Sequence, residues 1–369
     1  MLNSLRVVSA NAPDVAVIGG GIVGCAVAAF AAEAGARVRL YEREHVAAGA
    51  SGRNSGIVQH PLDAPLVGVY EATLDIYREL GHGFAFPAEA VGTLVLGEDP
   101  AQLEPSRAAI ATAFPALGAE ALAGEALREL EPELAGDLAG FRLETGHAVP
   151  PAAATEAFAA RARAAGAEIL EGVAGLPFVV GERVAGVRTE EGTAAAGAVV
   201  LAAGPWTGEL ACVPVSPLWG VNVVLRLARP PRHALEQAGV EDLLGERAPD
   251  SIFSLVTHAG ASALGSTFER EQPDPGAHAE GLIERGARYV PAVASAPVAS
   301  LRACARPQSA DGRPFLGPGA ADGLFLAAGH GPWGISLGPG SAKLVADAVL
   351  GLATPIAPEL RATRPVAPA

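Results

Sequence analysis

The hydrophobic pattern changes twice near the start of the chain. The run VAVI at 15–18 is mostly β-branched and predicts a short buried strand. Three glycines follow, and then small apolar residues as far as Gly35 predict a helix. RVRLYE at 37–42 predicts a second strand. Strand, glycine turn, helix and strand in this order predict a βαβ unit.

Helices and strands continue to alternate along the rest of the chain. Helical spacing of apolar residues predicts helices at 69–80, 155–170, 276–290 and 341–352, and the second of these passes into a strand at its end. Two more helices are predicted within 101–135, broken at Pro115 and near Pro132. Apolar runs predict strands at 92–99, 198–206, 217–227, 251–256, 261–268 and 298–304, and a hairpin at 181–192. The tail at 357–369 is predicted to be disordered.

This order of elements predicts an α/β fold with two parts. One part is a Rossmann-type nucleotide-binding domain, and the other is an inserted, sheet-rich α+β domain that contacts the substrate. We assign residues 1–85, 146–214 and 301–356 to the first and residues 86–145 and 215–300 to the second.

Composition narrows the classes of partner. The 369 residues include 40 acidic and 26 basic ones, so the net charge is −14, and no run of basic residues is present. Nucleic acid and anionic membranes are therefore disfavoured. Cys25, Cys212 and Cys304 show no CxxC spacing, which predicts no metal site and favours a reducing cytoplasm. The uncharged residues 15–32 resemble a membrane span, but their glycines divide them into strand, turn and helix.

The first glycine turn predicts a dinucleotide site. Gly19, Gly21 and Gly24 form G-x-G-x-x-G between the strand and the helix. These glycines permit a tight turn, approach of a pyrophosphate to the backbone, and close packing of helix on strand. Glu42 ends the next strand, where a carboxylate accepts hydrogen bonds from ribose hydroxyls, so a 2′-phosphate is disfavoured. The motif alone leaves NAD and FAD open.

Four further stretches carry a resemblance to a family. They are GASGRNSGIVQH at 49–60, VVLAAGPW at 199–206, RPQSADGRPFLG at 306–317 and AAGHGPWGISLGPGSAKLVADAVLG at 327–351. In this order they resemble the D-amino acid oxidase-like superfamily of FAD-dependent oxidoreductases. The resemblance implies FAD as the cofactor and a GR2-like FAD-binding domain. It also implies that a helix beginning near Gly340 points its N-terminus at the flavin and stabilises the reduced ring.

The resemblance implies which residues contact FAD. They lie in the first turn and helix, at the end of the second strand, in the polar loop, and in two later glycine turns: Gly19, Gly21, Ile22, Val23, Gly24, Glu42, Arg43, Ser51, Gly52, Arg53, Asn54, Ser55, Gly56, Val173, Ala203, Gly204, Trp206, Gly329, His330, Gly331, Gly334 and Ile335. In some relatives a cysteine at the place of Cys304 binds the flavin covalently. The residues after Cys304 match noncovalent members, so a noncovalent flavin is favoured.

The same resemblance suggests catalytic and substrate residues. Arg306 corresponds to an arginine that pairs with the substrate carboxylate, and a purely structural role is its alternative. His60 is a candidate base toward a hydroxyl, or a structural histidine. Trp333, Arg302 and Phe253 are assigned to the substrate pocket, with Phe253 in a strand where related oxidases carry a tyrosine.

The leading functional prediction is oxidation of the C–N bond of an amino acid or secondary amine. Hydride passes from the α-carbon to flavin N5, and O₂ or another acceptor reoxidises the flavin. The alternative is a 2-hydroxy acid dehydrogenase, similar to L-2-hydroxyglutarate dehydrogenase, that uses a quinone or carrier. A third reading is a flavin- or NAD-binding module without catalysis. The substrate, the acceptor and the oligomeric state stay open.

Overall fold

The computed structural model describes residues 12–239 and 251–366. Its strands are β1 (Val15–Ile18), β2 (Val38–Glu42), β3 (Ile57–Val58), β4 (Thr93–Gly97), β5 (Gly118–Ala123), β6 (Ala139–Leu143), β7 (His147–Ala148), β8 (Glu168–Glu171), β9 (Leu176–Val180), β10 (Arg183–Thr189), β11 (Gly192–Ala195), β12 (Ala198–Leu201), β13 (Val215–Leu225), β14 (Ala234–Gln237), β15 (Ser251–His258), β16 (Ala261–Thr267), β17 (Val298–Ser309), β18 (Phe315–Pro318) and β19 (Leu324–Ala328). Its α-helices are α1 (Ile22–Glu33), α2 (Ala50–Arg53), α3 (Ala64–Glu79), α4 (Pro100–Ala113), α5 (Gly124–Leu130), α6 (Pro151–Ala164), α7 (Thr207–Ala211), α8 (Pro275–Tyr289) and α9 (Gly334–Val349).

One sheet has six strands in the order β18-β19-β12-β1-β2-β8. Neighbouring strands are parallel except for β18 and β19. The predicted βαβ unit is confirmed by β1, α1 and β2. Helix α1 packs against α6 and α9, and its small residues are buried. A side chain at Gly24 would bring its Cβ to 1.9 Å from the Gly19 carbonyl oxygen, so this turn and helix require glycine.

A second sheet has eight strands in the order β17-β13-β16-β15-β14-β4-β6-β5. It is built from the two chain segments predicted to form the inserted domain, and α8 packs on it. The predicted fold class, a Rossmann-type domain with a sheet-rich addition, is therefore confirmed. The smaller sheets are β11-β10-β9 and β3-β7.

The boundary placed at 300/301 needs a correction. Strand β17 crosses it and pairs with β13 from Val298 to Ser309, so residues 301–309 belong to the eight-stranded sheet. The boundary fell inside the predicted strand at 298–304, because the sequence does not show that this strand pairs with β13 along its whole length. The other boundaries stay a prediction, and parts of the assigned ranges, 1–11 and 240–250, lie outside the described residues.

The two helices predicted within 101–135 are present: α4 ends before Pro115, and the short helix α5 ends before Pro132. The strand β5 between them was not predicted. Gly118 and Ala119 have φ values of +81° and +50°, which turn the chain into the edge of the sheet beside β6. Strand pairing here overrides the helical propensity of GAEALA.

The last helix begins earlier than predicted. Helix α9 begins at Gly334, not near Gly340 or 341, although it contains two more glycines and Pro339. Packing explains the glycine at position 340 inside the helix, because a Cβ there would lie 2.3 Å from the Val69 carbonyl oxygen of α3. The Gly340 N–H also donates to Thr73 Oγ1 at 3.0 Å.

The prediction of a disordered tail is wrong for residues 357–366. Leu360 is buried, and the Ala362 N–H donates to the Leu316 carbonyl of β18. Arg364 forms two hydrogen bonds with the Asp311 carboxylate, at 2.8 and 2.9 Å. The polar composition suggested disorder, but these contacts with the six-stranded sheet order the segment. Residues 367–369 lie outside the described residues.

Candidate active site

A cavity of about 490 Å³ lies between the two large sheets. It begins at the carboxyl ends of β1, β2 and β12, where open α/β sheets bind their ligands. It extends to residues of β13, β15 and β17 in the eight-stranded sheet. The cavity therefore joins the predicted nucleotide site to the predicted substrate domain.

The glycine turn forms one end of this cavity. Gly19 has φ +112°, and a Cβ there would lie 2.3 Å from the Ala202 carbonyl oxygen of the turn after β12. The Ile22 N–H at the start of α1 donates to Ser51 Oγ at 3.0 Å. The polar loop is thus held against the N-terminus of α1, where backbone N–H groups and the helix dipole favour an anion.

Glu42 lies at the rim of the same end. Its Oε2 accepts from the Gly20 N–H at 2.6 Å and its Oε1 from the Glu44 N–H at 2.9 Å. Arg43 stacks on Trp206, with its Cζ 3.6 Å from the ring centroid. Two backbone donors fix the orientation of the carboxylate, which retains lone pairs for ribose hydroxyls.

Most residues with an expected FAD contact line this cavity. They are Gly19, Gly21, Ile22, Val23, Glu42, Arg43, Ser51, Asn54, Ser55, Ala203, Gly204, Trp206, His330, Gly331, Gly334 and Ile335. The residues that do not line it are Gly24, Gly52, Arg53, Gly56, Val173 and Gly329. Several of these glycines allow close packing of the protein on itself. A Cβ on Gly52 would lie 2.3 Å from the Ala47 carbonyl oxygen, and one on Gly56 would lie 2.2 Å from that of Val149.

Val173 does not line the cavity, and its backbone pairs with the end of β2. Its N–H donates to the Glu42 carbonyl at 2.8 Å, which continues the contact of β8 with β2. The next residues, Ala174, Gly175 and Leu176, line the cavity instead. The contact of Val173 with FAD stays a prediction.

His330 and the start of α9 form another wall. The His330 side chain is 2% exposed, and its Nε2 has no hydrogen-bond partner among the described residues. Burial lowers the pKa of His330 to about 4, so the imidazole is neutral at neutral pH. Ser336 Oγ accepts from the Gln59 N–H at 3.0 Å, which ties α9 to the polar loop.

Arg306 lies at the substrate end of the cavity. Its Nη1 donates to the Thr267 carbonyl at 3.1 Å and its Nη2 to Ser266 Oγ at 2.5 Å. Its Cζ lies 4.8 Å from the centroid of the Phe268 ring. Burial lowers its pKa, yet no carboxylate among the described residues forms an ion pair with it. The guanidinium has five N–H donors, so it retains donors for a ligand.

The other expected substrate residues lie at different places. Trp333 lines the cavity, as expected. Arg302 does not line it and lies on β17 opposite Asn222. His60 lines a neighbouring cavity, with its ring edge-on to Tyr70 and Phe114, and burial lowers its pKa.

The assignment of Phe253 to the substrate pocket is wrong. Its side chain is fully buried in the core of the eight-stranded sheet and stacks on Tyr289 at 4.2 Å between centroids. Its neighbours Ile252 and Ser254 line the cavity instead. Successive side chains of a strand point to opposite faces, so the assignment fell on the wrong face of β15.

Several lining residues were missed by the sequence reading. They are Gln59, Asn222, Glu236, Ile252, Ser254, Ser266 and Phe268. Alternation within the predicted strands at 217–227 and 251–268 was the available signal, but it does not say which face meets the flavin domain. Gln59 lay inside the quoted polar loop, next to His60, and was passed over.

Cys304 also lines the cavity. It is buried, and burial raises the pKa of its thiol. The sulfur is therefore held as a neutral thiol. Cys25 is buried in α1, and burial raises its pKa to about 12, which agrees with a core position.

The residues present fit FAD. The turn at Gly19 packs on Ala202 too closely for a Cβ, a Cβ on Gly21 would lie 3.0 Å from Ser51 Oγ, and α1 begins at this turn. Glu42 supplies the acceptor for a ribose, and an apolar and glycine-rich wall reaches from there to Trp333. His330 is part of this wall, and its buried Nε2 has no hydrogen-bond partner among the described residues. A flat, largely apolar ring with polar edges requires this combination.

Two further features are absent from the described residues. No helix within them combines the length and hydropathy that a membrane crossing needs. No group of three or more His, Cys, Asp or Glu side chains in 12–239 and 251–366 is placed to hold a metal ion.

Comparison with known proteins agrees with this geometry. Residues 14–348 match the model of the DAO family, described as FAD dependent oxidoreductase. A glycine oxidase of Geobacillus kaustophilus is 31% identical over 362 aligned residues, which cover 91% of this chain and 92% of that enzyme. One from Bacillus licheniformis is 27% identical over 370 residues, covering 92% and 93%. The solved structure of glycine oxidase from Geobacillus kaustophilus superposes with a TM-score of 0.83 at 26% identity, covering 96% of this chain and 99% of that one. The chain therefore belongs to the DAO family of FAD-dependent oxidoreductases.

Proposed function

We propose that this enzyme oxidises the C–N bond of an amino acid or a secondary amine. Bound FAD supplies the hydride acceptor for this reaction. The protein supplies a carboxylate clamp, acceptors for the amine, and an apolar wall around the reacting carbon. The relatives reported above are all named glycine oxidase, which supports an amine over a hydroxy acid.

Arg306 is the observation that carries the proposal. A half-buried guanidinium without an ion-paired carboxylate among the described residues is costly, unless a ligand provides the anion. Two protein acceptors, Thr267 O and Ser266 Oγ, hold the group in place. The remaining N–H groups can then form a bidentate pair with a substrate carboxylate.

Gln59 and Glu236 are placed to receive the amine. Both line the cavity with Arg306, and Gln59 Nε2 donates to Glu236 Oε1 at 3.1 Å. The Gln59 Oε1 is buried and has no donor among the described residues. An N–H of the substrate would satisfy it, because a buried acceptor without a donor costs free energy.

Trp333, Phe268 and Ile252 provide the apolar wall. By excluding water they strengthen the Arg306–carboxylate interaction, which grows as the local dielectric constant falls. They also hold the α-carbon in a limited set of orientations, and positioning of this kind supplies much of the rate enhancement. No protein base is needed if the neutral amine is the reacting form.

We propose that the flavin is held without a covalent bond. The thiol of Cys304 is kept neutral by its burial, and a neutral thiol is a weak nucleophile. Denaturation followed by filtration should release the yellow colour from the protein. Colour that stays with the polypeptide, and is lost in Cys304→Ser, would contradict this part of the proposal.

The cell compartment is proposed to be the cytoplasm. Cys25, Cys212 and Cys304 are free, and a protein of an oxidising compartment tends to pair its cysteines. The electron acceptor is proposed to be O₂ or another small acceptor. Release of peroxide during turnover would identify O₂ as the acceptor, and its absence would indicate another acceptor.

The test is the visible spectrum of the holoenzyme under anaerobic conditions. Glycine, sarcosine, proline, D- and L-amino acids and L-2-hydroxy acids are added one at a time. We expect an amine or amino acid to bleach the flavin and ammonia or a shorter amine to be released. Bleaching by hydroxy acids alone would replace the proposal with the dehydrogenase alternative. Arg306→Lys should weaken the binding of carboxylated substrates about 10- to 100-fold, since the bidentate pair is lost.

A further inference from the structure

A second cavity of about 230 Å³ adjoins the first at its substrate end. The two share a wall made of Gln59, Glu236, Phe268, Arg306, Pro332 and Trp333. This second cavity, called the side chamber below, is therefore next to the proposed carboxylate clamp.

One part of the wall of the side chamber is apolar. It is formed by α3 with the loop before it, by α4, and by β4 and β6, through the side chains of Leu62, Leu66, Val95, Ile110, Phe141 and Leu143. All except Leu62 are buried. Polar side chains also line the side chamber outside the shared wall: His60, Asp63, Thr93, Ser106, Thr145, Gln237, Gln308 and Asp311. Gln59 Oε1, His60 Nδ1 and Gln308 Oε1 are buried without a hydrogen-bond partner among the described residues.

The volume of the side chamber sets the size of its occupant. An apolar cavity of about 150 Å³ stays dry and holds benzene. At about 230 Å³, the side chamber exceeds that volume. The hydrogen that glycine carries as its side chain would leave it unfilled.

From this geometry we infer that the side chamber holds the substrate's side chain or N-substituent, and that the substrate is an amino acid carrying an apolar group at least as large as a phenyl ring. The inference rests on the proposed function, because Arg306 must hold the carboxylate at the shared wall. The carboxylate and amine then stay in the first cavity, and the apolar group crosses the wall beside Trp333 and Phe268.

The alternative role for the side chamber is a path by which substrate enters the first cavity. Narrowing an entry path slows every substrate, glycine and alanine included, whereas filling a side-chain chamber lowers the rate for large substrates and leaves the small ones unchanged. An extra methylene in an apolar pocket is typically worth about 10- to 200-fold in discrimination. The size dependence of flavin reduction therefore separates the two roles.

The experiment measures kcat/KM for anaerobic flavin reduction in the holoenzyme with glycine, sarcosine, alanine, norleucine and phenylalanine, the chiral ones as both enantiomers. We expect one enantiomer of a large apolar amino acid to exceed glycine and alanine by about tenfold or more. A preference for glycine or sarcosine would overturn the inference and leave the proposed function intact. Failure of every amine and amino acid would overturn the proposed function as well.

Three variants of α4 test whether the side chamber sets the preference for large substrates. Ile110→Trp fills the side chamber from α4 and should lower the ratio of large-substrate to small-substrate kcat/KM about tenfold or more. Ile110→Ala enlarges it and should shift the preference toward larger groups. Ala109→Trp adds the same ring on the exposed face of the same helix and should leave the ratio unchanged.

Flavin content and thermal stability of each variant identify any that fail to fold. An equal loss for large and small substrates in folded Ile110→Trp would make the side chamber an entry path and overturn the inference. No change of preference in folded Ile110→Ala would overturn it too.

Discussion

Gly220 and Arg306 lie on adjacent strands, and the guanidinium of Arg306 occupies the space in which a side chain at Gly220 would stand. A Cβ at Gly220 would be 2.4 Å from Arg306 Nη2 and 2.5 Å from Nη1. β13 and β17 are in register here, with Gly220 opposite Cys304 and Leu218 opposite Arg306. The side chain of Arg306 thus runs along the sheet over Gly220 to reach Thr267 and Ser266.

We expect Gly220→Ala to displace the guanidinium without displacing the flavin. The clash is with the end of a flexible side chain, so the sheet can stay folded while Arg306 moves. KM for carboxylated substrates should rise about tenfold or more, as the bidentate pair loses its geometry. Steady-state kinetics with flavin content on the same samples check this. Gly281→Ala, on the exposed face of α8 with nothing within 4 Å, is the matched control.

Gly19→Ala should abolish the retention of FAD. The new Cβ would lie 2.3 Å from a backbone oxygen of Ala202, and φ +112° is strained for any other residue. Neither the turn nor the end of β12 can yield without opening the cavity. The ratio of flavin to protein absorbance in purified protein measures the effect, expected to fall about tenfold. Gly68→Ala, on an exposed turn of α3, should retain full flavin, and a normal ratio in Gly19→Ala would contradict the role of the turn.

His330 should make the stability depend on pH below neutrality. Its pKa falls from 6.5 to about 4 on folding, because burial penalises the imidazolium. The unfolded chain therefore binds more protons between these values, and the stabilising contribution is lost as pH falls from above 6.5 toward 4. From this residue we expect about 2 kcal/mol less free energy of unfolding at pH 5 than at pH 7.

Urea unfolding at a series of pH values checks the contribution of His330. His330→Gln carries no titrating group, so its free energy of unfolding should decline less steeply in this window. His45→Gln is the control, since His45 lies on the exposed loop after β2. Equal slopes for wild type and His330→Gln would contradict the buried neutral imidazole.

Ending the chain at residue 356 should destabilise the protein. The lost segment includes the buried Leu360 and Arg364, whose side chain is 7% exposed. Arg364 pairs with Asp311 and stacks on Phe315 at 3.8 Å from the centroid. We expect a loss of about 3–5 kcal/mol in the free energy of unfolding. Thermal unfolding of the truncated and full chains tests this. Arg364→Met keeps the tail but lacks the ion pair with Asp311, so its midpoint should lie between those of the two chains. An unchanged midpoint would mean that the tail is not part of the folded unit.

The sequence alone determined the local structure of this protein. The strand, turn and helix around Gly19, Gly21 and Gly24, the position of Glu42 and the polar loop at Ser51 were all readable, because backbone conformation and contacts within one βαβ unit decide them. Family resemblance extended this to the cofactor, and through it to Arg306 and Trp333, both of which line the cavity.

Only the tertiary structure decided which face of each strand meets the flavin domain. Phe253 and Ile252 are both apolar and adjacent, and the pattern of β15 alone does not say which of them points to the core. The space over Gly220 depends on the register of β13 with β17. The side chamber depends on the placement of α4, β4 and β6 around the same space as Gln308. The tail became ordered through its contacts with β18 and Asp311. Each of these outcomes depends on groups far apart in sequence, whose approach is set by packing of the whole chain and leaves little trace in any one segment.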